Sequence, residues 1–282
     1  MMNKTIGVIG CNGNLGYELV NCGCVPIECD IQDKKSIAQA VRKHNPKVII
    51  NTAAITDVDE CENALAMSAY QVNCASLANI RDAFLGNIIH LSTSYVFDGK
   101  KKLPYTEQDD PNPISVYGKS KLGGEERLLE YDVPGDCVVR TITLYGGYKA
   151  DFVTKVLKQV KDGKEFTIPN TIFGNPTYIP HLANTLIELA MMKNRSKIVN
   201  IAGKEILSRY DLAIMVINVF GWSERVHLIH PTNRVDGIAP RPRNAGLSTK
   251  LAAKMGLTIY SVLDGLQDMY AQRGFMYGKG EK

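Results

Sequence analysis

The sequence lacks the features that mark membrane, secreted and disordered proteins. No apolar run approaches the ~18 residues that a membrane-spanning helix needs, and the first residues lead into a strand pattern without a signal-peptide core. Hydrophobic residues make up 45% and charged residues 22% of the chain, as in ordinary globular proteins. We therefore expect a folded cytoplasmic protein that does not bind membranes.

Cysteine pairs and basic clusters are also missing. The seven cysteines include no CxxC pair, which indicates buried reduced thiols and neither a disulfide framework nor a zinc site. His227 and His230 have no third ligand at a suitable spacing, so we expect no metal ion. The net charge of +4 is spread along the chain and its densest basic cluster is residues 100–102, so we expect no nucleic-acid partner.

Short, β-rich apolar runs alternate with helical patterns through the first half of the chain. Strands that alternate with helices form βαβ units, so we expect an α/β fold of the Rossmann type with a doubly wound parallel sheet. The predicted strands are residues 5–9, 48–51, 88–91 and 138–140, and the predicted helices are residues 15–21 and 64–84.

The pattern changes after residues 146 and 147, which are both glycine. Predicted helices 152–161 and 182–193 enclose a stretch rich in Gly, Pro and Asn, and residues 198–201 have the pattern of a strand that returns to the sheet. We predict a dinucleotide-binding domain of residues 1–146 plus about 180–203, and a smaller, discontinuous substrate-binding lobe of about 147–179 plus 204–282.

Three glycines follow directly on the strand pattern of residues 6–9 and open a helical pattern. Because glycine has no Cβ, it permits a tight turn and a close approach of the backbone to a pyrophosphate, whose charge is met by helix N-terminal N–H groups. A tight turn that binds nothing is the alternative, and the βαβ context favours a dinucleotide. The predicted cofactor-binding residues of this turn are Gly10, Asn12, Gly13, Asn14, Leu15 and Gly16.

Asp30 lies about twenty positions after Gly10, where an acidic residue usually binds the adenosine ribose and favours NADH. The segment between Gly23 and Asp33 is short, which leaves open whether Asp30 ends the second strand. The alternative role of Asp30 is a cap for the helix predicted from about Lys34. We therefore expect either NADPH or NADH as the cofactor.

Tyr117 and Lys121 form a YxxxK pair in a helix predicted to begin after Pro113. This spacing places both side chains on one helix face, where the ammonium is expected to stabilise the phenolate and lower the tyrosine pKa, making the phenol a usable proton donor. Tyr145 and Lys149 form a second match, which we interpret as chance because two glycines interrupt it.

The segment His90–Phe97 contains several hydroxyl side chains after a predicted strand. The carboxyl edge of a doubly wound sheet is where ligands bind. The hydroxyl of Thr93 is therefore expected to bind a substrate carbonyl while Tyr117 donates a proton. A Ser/Thr-rich turn that satisfies its own backbone is the alternative.

These motifs, together with eight segments spread along the chain, resemble the extended short-chain dehydrogenases/reductases and, within them, the dTDP-4-dehydrorhamnose reductase family. The segments are GCNGNLG (10–16), ECDIQD (28–33), NTAAITDVDECE (51–62), AYQVN (69–73), HLSTSYVFDG (90–99), PYTEQDDPNPISVYGKSKLGGEE (104–126), GNPT (174–177) and RPRNAGL (241–247).

The resemblance implies reduction of the C4 ketone of a 4-keto-6-deoxy sugar nucleotide, with a product similar to dTDP-L-rhamnose, and a possible homodimer. Thr93, Tyr117 and Lys121 would be the catalytic triad. Substrate would contact Thr93, Ser94, Tyr95 and Tyr117. Beyond the glycine-rich turn, the cofactor would contact Asp30, Ile31, Ala53, Ala54, Ile55, Tyr117 and Lys121.

Departures from the family pattern leave the nucleotide base and the sugar open. The family usually has Asp where Ser94 stands, and a Trp that packs on the base where Thr143 stands. A Ser-Tyr pair follows Thr93 where dehydratases of this fold have Asp-Glu, which disfavours dehydration.

Two other functions stay open. A bifunctional 3,5-epimerase/4-reductase acting on a UDP- or GDP-linked sugar usually has a Cys where Tyr95 stands, although Lys155 resembles its partner lysine. A non-catalytic regulatory subunit similar to that of methionine adenosyltransferase would work by association rather than by catalysis.

Overall fold

The strands of the first half assemble into the parallel sheet that the sequence predicts. The computed structural model describes residues 5–277, with side chains described for residues 5–273. The strands are β1 (Ile6–Ile9), β2 (Val25–Pro26), β3 (Val48–Asn51), β4 (Asn87–Thr93), β5 (Cys137–Thr141), β6 (Leu144–Tyr145), β7 (Phe166–Pro169), β8 (Phe173–Gly174), β9 (Thr177–Tyr178), β10 (Ile198–Asn200), β11 (Leu207–Ser208) and β12 (Ile229–Thr232).

The main sheet has six parallel strands in the order β10-β5-β4-β3-β1-β2. The chain leaves β1 for β2 on one side and returns to β3 on the other, so the strand order reverses between β1 and β3. In doubly wound sheets a ligand binds at the carboxyl ends of the strands beside such a reversal. The glycine-rich turn that follows β1 lies at this point.

Helices cover both faces of the sheet, which is why β1 and β3 are buried and almost entirely apolar. The helices are α1 (Asn14–Asn21), α2 (Lys34–His44), α3 (Ala66–Tyr70), α4 (Ser76–Ala83), α5 (Val116–Leu129), α6 (Phe152–Lys161), α7 (Ile179–Met191), α8 (Arg209–Val219), α9 (Lys250–Lys254) and α10 (Val262–Tyr277). One face of the sheet packs against α1 and α7, and the other against α2, α4 and α5.

A separate hydrophobic cluster joins α6, α8 and α10 around the buried Trp222. Three two-stranded sheets, β6-β9, β7-β12 and β8-β11, border this cluster. β10 lies in the main sheet beside β5, whereas α6, α8 and α10, which precede and follow the stretch from α7 to β10, belong to the second cluster. Ala252 of α9 and Leu257 pack in the core of the main sheet. We therefore propose the two-lobe division given above; residues 1–4 and 278–282 of those ranges lie outside the described residues.

The prediction of one continuous helix over residues 64–84 is wrong. A 3-10 turn at Glu60–Glu62 precedes α3, and a π-helical turn at Gln71–Ala75 separates α3 from α4. The buried amide of Asn73, in the π turn, donates to the Ile55 carbonyl at 3.0 Å and accepts from the Ile55 N–H at 2.9 Å. Single π-helical turns occur frequently at functional sites. Here the turn positions Asn73 to hold the loop that follows β3.

Between residues 5 and 277, no helix has the length and apolar character needed to cross a membrane. All seven cysteines are free thiols. Over the same stretch, no group of three His, Cys, Asp or Glu side chains is placed to hold a metal ion.

A buried ion pair ties α5 to β5. The Arg140 guanidinium donates to both carboxylate oxygens of Glu125, at 3.0 Å from Nε and 2.6 Å from Nη2, and each side chain is only 2% exposed. The Ser92 hydroxyl donates to the same carboxylate. Because removal of one partner leaves the other charge buried and unpaired, both groups are needed together.

We expect Arg140→Met to lower the free energy of unfolding by about 3–5 kcal/mol, since Glu125 would be left without its counter-charge. The double variant Glu125→Leu/Arg140→Met removes both charges and should recover much of that loss. Urea denaturation of both proteins measures the difference. A single variant as stable as the wild type would contradict the assignment.

Candidate active site

The glycine-rich turn is a close-packed junction with one open face. A Cβ on Gly10, whose φ is +83°, would lie 2.5 Å from the Ala53 nitrogen, and a Cβ on Gly16 would lie 2.2 Å from the Gly10 oxygen. A Cβ on Gly13 would meet only the Gly10 oxygen, at 3.3 Å. Two glycines therefore let β1, α1 and the segment after β3 approach one another, and the third keeps the turn open to solvent.

The start of α1 is suited to bind an anion. Its N-cap is Gly13, which has no side chain to cap the helix, and its first turn contains no acidic residue. The first N–H groups of a helix have no partner within it and carry the positive end of the helix dipole. The turn thus offers free donors and positive potential to a phosphate group.

Two cavities meet at this turn. The larger, of about 680 Å³, extends from the turn to the carboxyl ends of β4 and β5, and the other, of about 610 Å³, lies beside the end of β2. Of the predicted site residues, the first is lined by Gly13, Asn14, Leu15, Gly16, Ala54, Thr93, Tyr95, Tyr117 and Lys121, and the second by Gly10, Asn12, Gly13, Ala53 and Ala54.

Three predicted site residues besides Asp30 do not line either cavity. Ile55 is fixed by Asn73 through both of its backbone groups. Ile31 is buried in the core beneath the sheet. Ser94 is fully buried, and its hydroxyl has no hydrogen-bond partner among the described atoms. They support the walls of the cleft from behind.

The acidic residue that lines the second cavity is Glu28. The Asp30 carboxylate accepts a hydrogen bond from the Gln32 N–H at 2.9 Å, and the Asp30 N–H donates to the Ser36 hydroxyl at 3.0 Å, so Asp30 stabilises its own loop. The alternative that Asp30 caps α2 is wrong, because Asp33 is the N-cap and accepts from the Lys35 N–H.

Tyr117 and Thr93 meet where α5 begins against the end of β4. The Thr93 oxygen accepts from the Tyr95 N–H at 3.2 Å, and the Thr93 hydroxyl is hydrogen-bonded to the Tyr117 phenol. Ser115 caps α5 by accepting from the Gly118 N–H at 3.1 Å. A Cβ on Gly118 would lie 2.2 Å from the Tyr95 oxygen, so only glycine allows the helix to start this close to the strand.

Lys121 lies one turn further along α5 and is buried beneath the same edge. Its ammonium donates to the Leu91 carbonyl at 2.5 Å and lies 3.3 Å from Nε2 of His90. Nδ1 of His90 is 3.2 Å from the Asn51 amide. Burial, together with the Lys121 charge, lowers the pKa of His90 well below its usual value, so the imidazole is neutral.

The pKa values of the pair depend mainly on burial. Burial lowers the pKa of Lys121 to about 8, against the opposing effect of the Glu125 carboxylate. Burial raises the pKa of Tyr117, and the hydrogen bond from Thr93 offsets only part of that rise. The expectation that Lys121 lowers the Tyr117 pKa is therefore wrong for this structure, because the ammonium is bonded to Leu91 and desolvation of the phenolate dominates.

Two residues of the cleft wall, Phe152 and Arg209, were missed from the sequence, and Thr143 was noted only as a departure from the family. Phe152, Arg209 and Thr143 line the outer part of the cleft, and the Arg209 guanidinium lies 5.6 Å from the centre of the Phe152 ring. Thr143 has a φ of +47°, a conformation that a β-branched residue rarely adopts. Its departure from the family's Trp was the one signal available in the sequence.

The second YxxxK match does not form a catalytic pair. Tyr145 is fully buried, and its hydroxyl donates to the Val262 carbonyl at 3.1 Å. Lys149 lies beyond β6 outside any helix and lines both cavities. The two side chains therefore have separate surroundings, and only the lysine faces the cleft.

Comparisons with known proteins agree with this architecture. The family described as RmlD substrate binding domain matches residues 4–274. A dTDP-4-dehydrorhamnose reductase from Aggregatibacter actinomycetemcomitans is 34% identical over 82% of each chain. The methionine adenosyltransferase 2 subunit beta of Danio rerio is 32% identical over 83% of this chain and 75% of its own length.

A solved structure has the same fold over nearly the whole chain. The dTDP-4-dehydrorhamnose reductase of Bacillus anthracis, solved in complex with NADP, superposes with a TM-score of 0.87 at 25% identity, covering 95% of this chain and 98% of its own. Since a family match and a relative above 30% identity both span most of the sequence, the chain belongs to the RmlD family, that of the dTDP-4-dehydrorhamnose reductases.

Proposed function

We propose that this chain reduces the C4 ketone of a 4-keto-6-deoxy sugar nucleotide, such as dTDP-4-dehydrorhamnose, with NADPH or NADH. The observation that carries the proposal is the hydrogen-bonded pair of Thr93 and Tyr117 in the wall of a cleft that reaches the glycine-rich turn. A hydroxyl pair at a sheet edge, beside a phosphate-binding turn, is the arrangement that carbonyl reduction requires.

The turn fits a dinucleotide. A side chain at Gly13 would project into the open face of the turn, and the helix N–H groups beside it have no capping side chain. The related Bacillus anthracis enzyme was solved with NADP. When bound, the cofactor supplies the hydride that adds to the ketone carbon.

Tyr117 is the proton donor of the proposed reaction. Burial keeps its phenol protonated, and Thr93 holds the hydroxyl at the sheet edge. Donation of the phenolic proton to the ketone oxygen leaves a phenolate at this site. Lys121 lies in the same wall, with its ammonium hydrogen-bonded to the Leu91 carbonyl.

The substrate is proposed to occupy the outer part of the larger cavity. Tyr95 lies edge-on to the Tyr117 ring at 5.6 Å, beside the reacting hydroxyls. Arg209 offers a guanidinium to the diphosphate of a sugar nucleotide, supported by the Phe152 ring.

The two alternative functions receive less support. Lys155, the predicted partner of an epimerase cysteine, lies exposed on α6 and is not part of the cleft wall. A purely regulatory subunit would have no need for the bonded Thr93–Tyr117 pair, although one relative is named as a subunit of methionine adenosyltransferase.

Tyr117→Phe should lower the rate of ketone reduction by at least ~100-fold, because general acid catalysis contributes about 10²- to 10⁴-fold. The phenyl ring keeps the packing, so cofactor binding should persist. Loss of nicotinamide absorbance against a panel of dTDP-, UDP- and GDP-linked 4-keto sugars measures the rate and identifies the base. Undiminished turnover of the variant would remove Tyr117 from the mechanism.

Glu28→Gln should increase the affinity for NADPH relative to NADH, since it removes the carboxylate that lines the second cavity and would repel a 2′-phosphate. Asp30→Asn is the matched control and should leave the ratio unchanged, because that carboxylate binds its own loop. Titration of both cofactors by fluorescence gives the two ratios. A change in the affinity ratio that occurs only in the Asp30 variant would indicate that Asp30, and not Glu28, contacts the adenosine ribose.

In deuterated water, the product formed from a 4-keto-6-deoxy sugar nucleotide should carry no deuterium at C3 or C5. The cleft has Tyr95 at the position of the epimerase cysteine and no Lys155 in its wall. Mass spectrometry of the product made without added epimerase is the measurement. Deuterium at either carbon would establish epimerase activity in addition to reduction.

A further inference from the structure

A short segment, residues 147–150, crosses the glycine-rich turn between β6 and α6. The Lys149 ammonium donates to the Asn12 carbonyl at 2.8 Å, and the Tyr148 hydroxyl donates to the same carbonyl at 2.6 Å. Asn12 lies within the turn, between Gly10 and Gly13. A cation from the second lobe is therefore held at the site where the turn offers its N–H groups.

The backbone of this crossing segment is anchored without the Lys149 side chain. The Lys149 N–H donates to the Asn14 side-chain oxygen at 2.8 Å, and the Asn14 amide reaches the Lys149 carbonyl at 3.4 Å. The Tyr148 ring packs on Tyr17 of α1 with 4.5 Å between ring centres. The ammonium is thus free to change partner while the segment stays in place.

Lys149 differs from the other cations of the cleft in its position. Lys121 is buried and bonded to Leu91, and Arg209 lies against Phe152 in the outer part of the larger cavity. Lys149 is exposed and lines both cavities where they meet at the turn. An ammonium has three donors, and a single neutral carbonyl is a weaker partner for it than a phosphate.

We infer that Lys149 is a cofactor-binding residue whose ammonium pairs with the pyrophosphate on the glycine-rich turn. The helix N–H groups bind the pyrophosphate from one side, and Lys149 binds it from the other, from the second lobe. Binding of the dinucleotide then links the two lobes through one charged contact. The inference concerns the cofactor alone and does not depend on which ketone is reduced.

Two other roles for Lys149 make different predictions. A lysine that only joins the crossing segment to Asn12 would act as Tyr148 does, by holding the apo structure together. A lysine that binds the 2′-phosphate of NADPH, near Glu28 in the second cavity, would leave NADH unaffected. The charge on the pyrophosphate is common to NADH, NADPH and ADP-ribose, and adenosine lacks it.

The test is calorimetric titration of the full chain with ADP-ribose, NADH, NADPH and adenosine. Lys149→Met should weaken the binding of ADP-ribose, NADH and NADPH by a similar factor of at least about tenfold, as expected for loss of a charge-assisted hydrogen bond. The same variant should change adenosine binding less than about twofold. Lys149→Arg should retain most of the ADP-ribose affinity. Tyr148→Phe removes the neighbouring contact to Asn12 without a charge, and Lys158→Met removes an exposed charge from α6.

The inference requires the loss to be confined to Lys149→Met among these variants. Unchanged ADP-ribose affinity, an equal loss in Tyr148→Phe, or a loss for NADPH alone would each overturn it. The thermal unfolding temperature of each ligand-free variant shows whether the fold is retained. If Lys149→Met is destabilised, Lys149→Gln, which keeps a donor without the charge, replaces it and must show the same selective loss.

Discussion

The close approach of α5 to the end of β4 is the constraint on which the rest of the site depends. Gly118 allows the first turn of α5 to contact the Tyr95 carbonyl, and Gly124 allows the next part of the helix to contact the Asn73 carbonyl. Any side chain at these two positions would push the helix away from the sheet. This distance determines whether Tyr117 can reach Thr93.

Burial decides the protonation states of the groups that this packing brings together. The same desolvation raises the pKa of the Tyr117 phenol and lowers that of the Lys121 ammonium, so the two values, which are close together in exposed side chains, move apart. His90, neutral beneath Lys121, adds no further charge. Near neutral pH the Tyr117 phenol therefore carries its proton, and Lys121, with a pKa of about 8, is close to its own titration range.

In the proposed two-lobe division, the lobes contact each other at both ends of the cleft. At the turn, the segment of residues 147–150 lies over the start of α1. At the other end, Arg241 pairs with Asp59 at 2.6 Å, and hydrogen bonds from Arg241 and from the Ala239 and Ile238 N–H groups hold the pKa of Asp59 at about 2. Both contacts come from loops of the second lobe, so the lobe's position fixes the shape of the cleft.

Local pattern was sufficient for the parts of this protein that depend on near neighbours. The alternation of strands and helices predicted the parallel sheet, because a buried strand must be apolar on both faces. The glycine spacing after β1 located the turn, and the position of Thr93 at a strand end placed it at the ligand edge. The YxxxK spacing singled out Tyr117 and Lys121, and the structure places both in the wall of the larger cavity.

Contacts between distant segments were decided only by the tertiary structure. The π-helical turn at Asn73 is held by Ile55 and Ser120, and neither contact is visible in the helical periodicity of that segment. Lys149 matched a motif by chance, and its actual neighbour, Asn12, is 137 residues away in the chain. The sequence by itself determined the sheet and the chemistry available at its edge. The folded chain decided the desolvation of Tyr117 and Lys121 and which cation reaches the turn, because both depend on contacts between segments that are far apart in the chain.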